Sequence, residues 1–287
     1  MADTNANIKK YFMMAIDPIH VGIGGQRLGR VDNSIVREPG TKLPKLPGTS
    51  LHGAIRHYAA FSENKEKTCA GQKNCGKDNC PICYTFGSSN GSGDGGWAGI
   101  VSISDAKILF FPVSTSKGPV WISTTSILKD ALGIDVNISF ENKNIVYTTI
   151  NENKELNLGW LLLSCKKLPD TNFIPSNMIE FEIFKDRLVF VSDEIFSRIV
   201  NSNLEVRTSV SINPETGAAE EGALFTYEAI PRTTVLYFEA TCNDYRSKNG
   251  NIKPSDIVET GINKLEFFGI GGMTTRGFGR LRKIKVM

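Results

Sequence analysis

The stretch from Pro18 to Phe61 restricts the chain more than any other. It reads PIHVGIGGQRLGRVDNSIVREPGTKLPKLPGTSLHGAIRHYAAF, a loop punctuated by glycine and proline that runs straight into a helix. Leu51, Ala54, Ile55, Tyr58 and Ala59 recur at helical spacing as one apolar stripe, so this helix needs a surface to cover. Pro47-Gly48 stops the preceding chain, and Thr49 or Ser50 is expected to cap the first free N–H groups. His52 and Arg56 share the polar face, so N–H groups, hydroxyls and a cation converge in a way that suits a phosphate. Between Pro18 and Arg56 lie six basic residues, Arg27, Arg30, Arg37, Lys42, Lys45 and Arg56, against two acids, Asp32 and Glu38. Asp32, in the segment Val-Asp-Asn, stands as a carboxylate among cations.

The 287 residues can bury one large core or two small ones. No run of 18 apolar residues occurs, and the N-terminal MADTNAN lacks an apolar signal core, so a soluble, cytoplasmic protein with no membrane partner is expected. A net charge of +3 is too small to announce a nucleic-acid partner. Its distribution says more, because Lys264, Arg276, Arg280, Arg282, Lys283 and Lys285 crowd the last 24 residues against Glu266 alone. Six cysteines in such a chain point to a metal more than to disulfides.

Lys9 to Asp17 predicts a buried strand before Pro18, and residues 62 to 98 read as a polar, Gly- and Ser-rich insertion. Strands are expected over 101–113, with alternation at Val101, Ile103, Ile108 and Phe110, then over 120–123, 160–164, 189–191, 206–212 and 235–240. Helices are expected over 126–132, from Ser192 or Asp193 with Ile195, Phe196, Ile199 and Val200 on one side, and from Ser255 with Ile257, Val258, Ile262 and Leu265. Residues 133 to 157 read as Asn-rich loop with at most one strand. Strands and helices mix without steady alternation, which predicts an α+β domain with an antiparallel sheet.

Cys69, Cys75, Cys80 and Cys83 give C-x5-C-x4-C-x2-C. A tetrahedral zinc site wants four soft ligands, and an insertion this poor in apolar residues needs a staple, so a structural zinc is expected. Cys165 and Cys242 sit in strand-like runs and read as core residues. Near the C-terminus Gly269, Gly271, Gly272, Gly277 and Gly279 crowd into eleven residues with Arg276 and Arg280. The loop is neither a Walker loop nor a dinucleotide fingerprint. It can lay backbone N–H groups along a phosphate chain, or simply turn the chain tightly into a last strand.

Taken together, IHVGIGG, VDNSIVREP, LPKLPGTSLHGAIR and GIGGMTTRGFGR resemble the RAMP superfamily of CRISPR proteins, and CPICYTFGS looks like a segment found in many of its members. SDAKILFFPV and VWIST look like the repeated backbone subunit of type III-B (Cmr) effector complexes. The resemblance covers positions 19–124 and 206–280 and leaves residues 133–190 without a counterpart. It implies one RAMP domain over the whole chain: a modified ferredoxin-like (RRM-like) palm, the zinc-stapled insertion at 62–98 and a β-hairpin thumb near 211–232. It implies a filament of copies with other effector subunits along a CRISPR RNA, cutting paired single-stranded target RNA at intervals; for that chemistry one aspartate can hold a divalent ion, magnesium or manganese, or take the proton. Asp32 carries over as the cleavage residue. His20, Lys45, Ser50, His52, Arg56, Gly271, Gly272 and Arg276 carry over as RNA contacts, and Leu224, Phe225 and Tyr227 as the wedge of the thumb. His52 stands where the family pattern has lysine, which weakens one phosphate contact or makes it pH-sensitive. Three other readings remain: a non-cleaving guide scaffold, a guide-processing endonuclease acting alone with His20, and the type III-A (Csm) equivalent.

Overall fold

The computed structural model describes residues 6–24, 31–71, 73–77, 79–89, 95–152, 154–168, 176–243 and 252–287. The chain, expected as one domain, divides into two compact units, each assembled from separate segments. The first contains residues 1–21, 46–107 and 237–287; the second contains 22–45 and 108–236. Elements are numbered along the whole chain. No helix among the described residues is long and apolar enough to cross a membrane.

In the first unit, β1 (Ala6–Ala15) leads to α1 (Gly48–Ser62), and β4 (Val101–Ile103) pairs with β13 (Val235–Asn243). Then come α7 (Pro254–Asn263), α8 (Leu265–Phe268) and β14 (Leu281–Val286), which returns antiparallel to β1. The order β4–β13–β1–β14, with helices after β1 and β13, is a β-α-β-β-α-β arrangement. The apolar run of β1 buries Tyr11, Phe12, Met13 and Ala15, with Tyr11 stacked on Phe238 at 5.4 Å. The stripe on α1 covers this core through Leu51, Ile55 and Ala59, whereas Ala54 and Tyr58 are half-buried.

Both expected caps in this unit differ from the outcome. Helix α1 starts at Gly48, and neither Thr49 nor Ser50 caps it; the Gly48 N–H donates to Asp105 Oδ1 at 2.7 Å. Helix α7 starts one residue before Ser255, at Pro254, whose missing N–H suits the first helical position. The insertion forms α2 (Glu66–Cys69), α3 (Pro81–Phe86) and a ribbon of β2 (Gly87–Ser88) with β3 (Trp97–Ala98).

The second unit holds a mixed sheet in the order β5–β6–β10–β7–β9–β8, and the antiparallel expectation gives way there. Its strands are β5 (Lys107–Val113), β6 (Val120–Ser123), β7 (Ile145–Thr148), β8 (Glu155–Leu158), β9 (Leu161–Lys167) and β10 (Leu188–Phe190). β10 runs parallel to β6 and β7 parallel to β9. β5 is not an alternating strand: Ile108, Leu109, Phe110 and Phe111 are all buried, because both faces are covered. The Asn-rich span 133–157 contains β7 and all but the last residue of β8. Trp160, expected to open a strand, instead sits 88% exposed in the turn after Gly159.

Three helices complete the unit: α4 (Thr125–Leu132), α5 (Glu182–Lys185) and α6 (Asp193–Ser202). α6 buries Ile195, Phe196, Ile199 and Val200, as its spacing predicts, but Ser192 makes no side-chain cap. Phe110, Trp121 and Phe184 form an aromatic cluster with centroids 5.1 to 5.3 Å apart. A separate hairpin joins β11 (Glu205–Ile212) to β12 (Ala219–Ala229), so it begins six residues before the expected 211.

Candidate functional site

Asp32 is exposed and lies beside the hairpin of its own unit. Its backbone N–H donates to Thr226 Oγ1 at 3.0 Å, and Thr226 returns two bonds to Asp32 Oδ2, from its N–H at 2.8 Å and its hydroxyl at 2.7 Å. The Thr226 backbone N–H, then its hydroxyl, hold the Asp32 carboxyl below the usual carboxylate range, so it is anionic at neutral pH. Oδ1 takes no hydrogen bond among the described residues. One oxygen is held and the other is open.

The segment after Asp32 rides on β12. Asn33 N–H donates to Thr226 O and Glu228 N–H to Asn33 O, each at 3.0 Å, and Asn33 bridges Tyr227 in parallel. Buried Glu228 then accepts the Ile35 N–H at 3.2 Å and the Arg37 guanidinium at 2.6 Å. Arg37 Nε donates to Asn201 Oδ1 at 2.8 Å, which ties the loop to α6. Lys45 pairs with Glu38 at 2.7 Å, so its charge is compensated rather than offered to a ligand. Arg27 and Arg30 lie outside the described residues. On the hairpin, Leu224 is 61% and Phe225 38% exposed, and Tyr227 is half-buried.

The other expected residues lie in the first unit. The glycine loop is built on the backbone of the chain after β1. Gly272 N–H donates to His20 O at 2.9 Å, and Gly279 N–H to Pro18 O at 2.8 Å. Gly271 has φ +86°, and a Cβ there would lie 2.4 Å from His20 O, so this position admits only glycine. His20 is buried, and its backbone anchors the loop. Tyr58 reaches the loop from α1, donating its hydroxyl to Gly269 O at 2.7 Å. Beyond Gly272 the N–H groups of Met273, Thr274 and Thr275 find no acceptor among the described residues, and Met273 adopts φ 61°.

Much of the basic tail is neutralised. Arg280 binds Asp17 through two nitrogens, at 2.5 and 3.0 Å, Arg282 binds Glu266 at 2.7 Å, and Lys283 pairs with Glu259. Arg276 is exposed and has no ion-pair partner among the described residues.

On α1, Ser50 sits half-buried in the first turn, whose leading N–H is already occupied by the Asp105 carboxylate. That occupation removes part of the phosphate site expected at the helix start. Arg56 donates to Gly87 O at 2.7 Å and Cys69 O at 3.2 Å, stitching the insertion onto the helix. His52 packs edge-on against Phe86 at 5.2 Å. Burial and the nearby Arg56 charge push the His52 imidazole below its ordinary range, so it is neutral near pH 7.

Cys69, Cys75, Cys80 and Cys83 converge with all four sulfurs within 4.8 Å of one another. The contacts Cys69–Cys80, Cys75–Cys83 and Cys69–Cys83 measure 3.6, 3.7 and 3.8 Å. A tetrahedral ion with Zn–S bonds of about 2.3 Å sets its sulfurs about 3.8 Å apart, so the four thiols fit zinc. Burial pushes the Cys80 thiol up to about 12, while at Cys75 the Lys77 N–H and neighbouring thiols outweigh burial and bring it down to about 7. Cys165 and Cys242 are buried outside this cluster.

The RAMP superfamily matches residues 12–282. This chain belongs to that superfamily. Among RAMP relatives, the CRISPR system Cmr endoribonuclease Cmr4 of Pyrococcus furiosus is 28% identical over 93% of this chain and 92% of its own length. The CRISPR system Cms endoribonuclease Csm3 of Methanothermobacter thermautotrophicus is 25% identical over 93% and 80%. Solved structures share the fold. The type III-B Cmr-beta complex in its apo state has a chain with TM-score 0.66 and 21% identity, covering 97% of both chains. Oligomeric Cmr4 from Pyrococcus furiosus gives a TM-score of 0.61 at 19% identity, over 97% of this chain and 98% of that one.

Four residues that hold this RAMP protein's loops were not marked for that task by the sequence: Thr226, Glu228, Asp105 and Tyr58. Thr226 lies 194 positions from Asp32, beyond the reach of any local pattern.

Proposed function

We propose that this chain is a guide-RNA-binding backbone subunit of a type III effector filament, and that Asp32 cuts the guide-paired target RNA. The observation that carries this reading is Asp32 itself. Among the described residues, an exposed carboxylate is fixed through one oxygen and open at the other, while Arg37 and Lys45 of the same loop are satisfied by Glu228 and Glu38. A scaffold has no use for an anion facing RNA phosphates. The likeness to the endoribonucleases Cmr4 and Csm3 supports the cutting role.

Cleavage through the 2′-hydroxyl needs in-line geometry and relief of charge on the phosphate. A carboxylate held below its usual range is a weak proton acceptor and a good ligand for a hard cation. Among the described residues Asp32 belongs to no group of three or more metal-ligating side chains, so a magnesium or manganese ion held there would draw ligands from RNA and water as well. When bound, it would supply Lewis-acid stabilisation of the phosphate. Asp32 keeps its charge and orientation through Thr226.

In the first unit the β-α-β-β-α-β order supports a ferredoxin-like palm. The N–H groups of Met273, Thr274 and Thr275, without an acceptor among the described residues, together with Arg276 support a guide-backbone contact, for which Gly271 and Gly272 shape the loop. Leu224 and Phe225 support a wedge on the guide–target duplex, because apolar side chains on an exposed hairpin can press on an unstacked base. The four cysteines hold a structural zinc. The partners are guide RNA, target RNA, further copies and other effector subunits, in the cytoplasm.

The reading is tested by extracting RNA from the protein purified from its source at moderate salt. A discrete short RNA, and cutting of a complementary strand at regular intervals that stops with EDTA, is the expected result. Absence of bound RNA would overturn it. Bound RNA without cutting would favour the scaffold.

A further inference from the structure

We propose that Thr226 is the positioning residue of the cleavage carboxylate, so that the hairpin carrying it controls whether Asp32 is set for cutting. The proposal rests on the reading of Asp32 given above.

One hydroxyl does two tasks at once. Thr226 Oγ1 accepts the Asp32 backbone N–H at 3.0 Å and donates to Oδ2 of the same residue at 2.7 Å, which a hydroxyl can do because it carries one donor and two acceptor sites. The Thr226 N–H adds a second donor to Oδ2 at 2.8 Å. Two donors on one oxygen and one clamp on the backbone fix the side-chain torsions of an otherwise exposed aspartate. Left to itself such a side chain would sample several rotamers, and reacting groups tolerate little misplacement.

The clamp also connects Asp32 to a distant surface. Residues 32–35 run alongside β12 through the Asn33–Tyr227 bridge and the bond from Ile35 N–H to the Glu228 carboxylate. Leu224, two residues from Thr226 on β12, shares its face of the strand, and Phe225 sits next to it. Both are exposed on the hairpin. A duplex that shifts this strand therefore shifts the aspartate with it. The hairpin and the carboxylate are one mechanical unit.

The test uses the guide-bound assembly. Thr226→Val keeps the β-branched shape, the strand preference and the backbone N–H, and removes only the hydroxyl; Thr226→Ser keeps the hydroxyl. Single-turnover cutting is expected to slow by about tenfold in the valine variant, the size of one hydrogen bond to a charged group. Target affinity should stay within about twofold, and serine should restore the rate to within about twofold of wild type. Wild-type cutting by the valine variant overturns the proposal, as does a serine variant that is no faster. Parallel loss of binding and cutting overturns it too, since the hydroxyl would then serve the fold. If the valine variant does not assemble, Thr226→Cys carries the test: its weak donor should give a rate below serine's, and a rate equal to serine's would contradict the proposal. Asp32→Asn measured alongside separates the two ideas. If it still cuts, the reading of Asp32 fails, whatever Thr226 does.

Discussion

The cysteine cluster and the Asp32 loop are both held by short polar contacts, yet one is closed and the other open. The four sulfurs come from a span of fifteen residues, three are buried, and each faces the others. An ion bound by all four would have no open position for a further ligand. Asp32 is exposed, and among the described residues only one of its oxygens is used. Closed coordination is what a structural site needs, and a free position is what chemistry needs. The difference lies in how many partners are already satisfied, rather than in how charged the residues are.

The largest effect should come from breaking the closed site. Cys80→Ser should remove the zinc, one per chain by metal analysis, and cost on the order of 4 kcal/mol of stability in thermal unfolding. Wild-type melting with full metal content would blur the distinction. Next, Glu228→Gln leaves Arg37 half-satisfied on the buried side of the Asp32 loop. A loss of about 2 kcal/mol is expected, with slower cutting and intact zinc, and calorimetry plus metal analysis would read both. An effect on zinc instead would mean the two regions are not independent.

Arg276→Ala touches neither site. It should weaken guide binding a few-fold and lower the salt dependence of log K by about one contact, measured by titration at several salt concentrations. The smallest effect concerns His52. Its imidazole is held below its unfolded value, so the unfolded chain binds the proton first, and stability is lost as pH falls below about 6.5. His52→Gln should flatten that acid-side loss in melting curves, and an unchanged curve would contradict the neutral, buried ring.

The closed site was legible because its signal is local: C-x5-C-x4-C-x2-C is written in consecutive turns, and the helix after Ser192 shows its apolar side in the same way. The stripe on α1 was legible for that reason too. The open site was only half legible. Asp32 could be singled out by its segment and its resemblance, but its clamp is on a strand 194 residues later. Asp105, which takes the N–H at the start of α1, was hidden likewise, and with it the reason that Thr49 and Ser50 do not cap. Charge patterns misled where pairing decided: the basic tail reads as a phosphate surface until Asp17, Glu259 and Glu266 are found against it. The buried stretch of β5 hid its lack of alternation because burial on both faces depends on the rest of the sheet.

The central claim is that Asp32 serves the cutting step and nothing else, and Asp32→Asn in the guide-bound assembly tests it most directly. Asparagine keeps the size and a carbonyl that can still accept from Thr226, so the loop should hold. A paired measurement is needed: target affinity by gel shift, and a time course of cleavage with added magnesium or manganese. The account predicts cleavage reduced at least about a thousandfold, with affinity unchanged or slightly higher because an anion has left a phosphate surface. Cutting at the wild-type rate, or binding lost together with cutting, would contradict it.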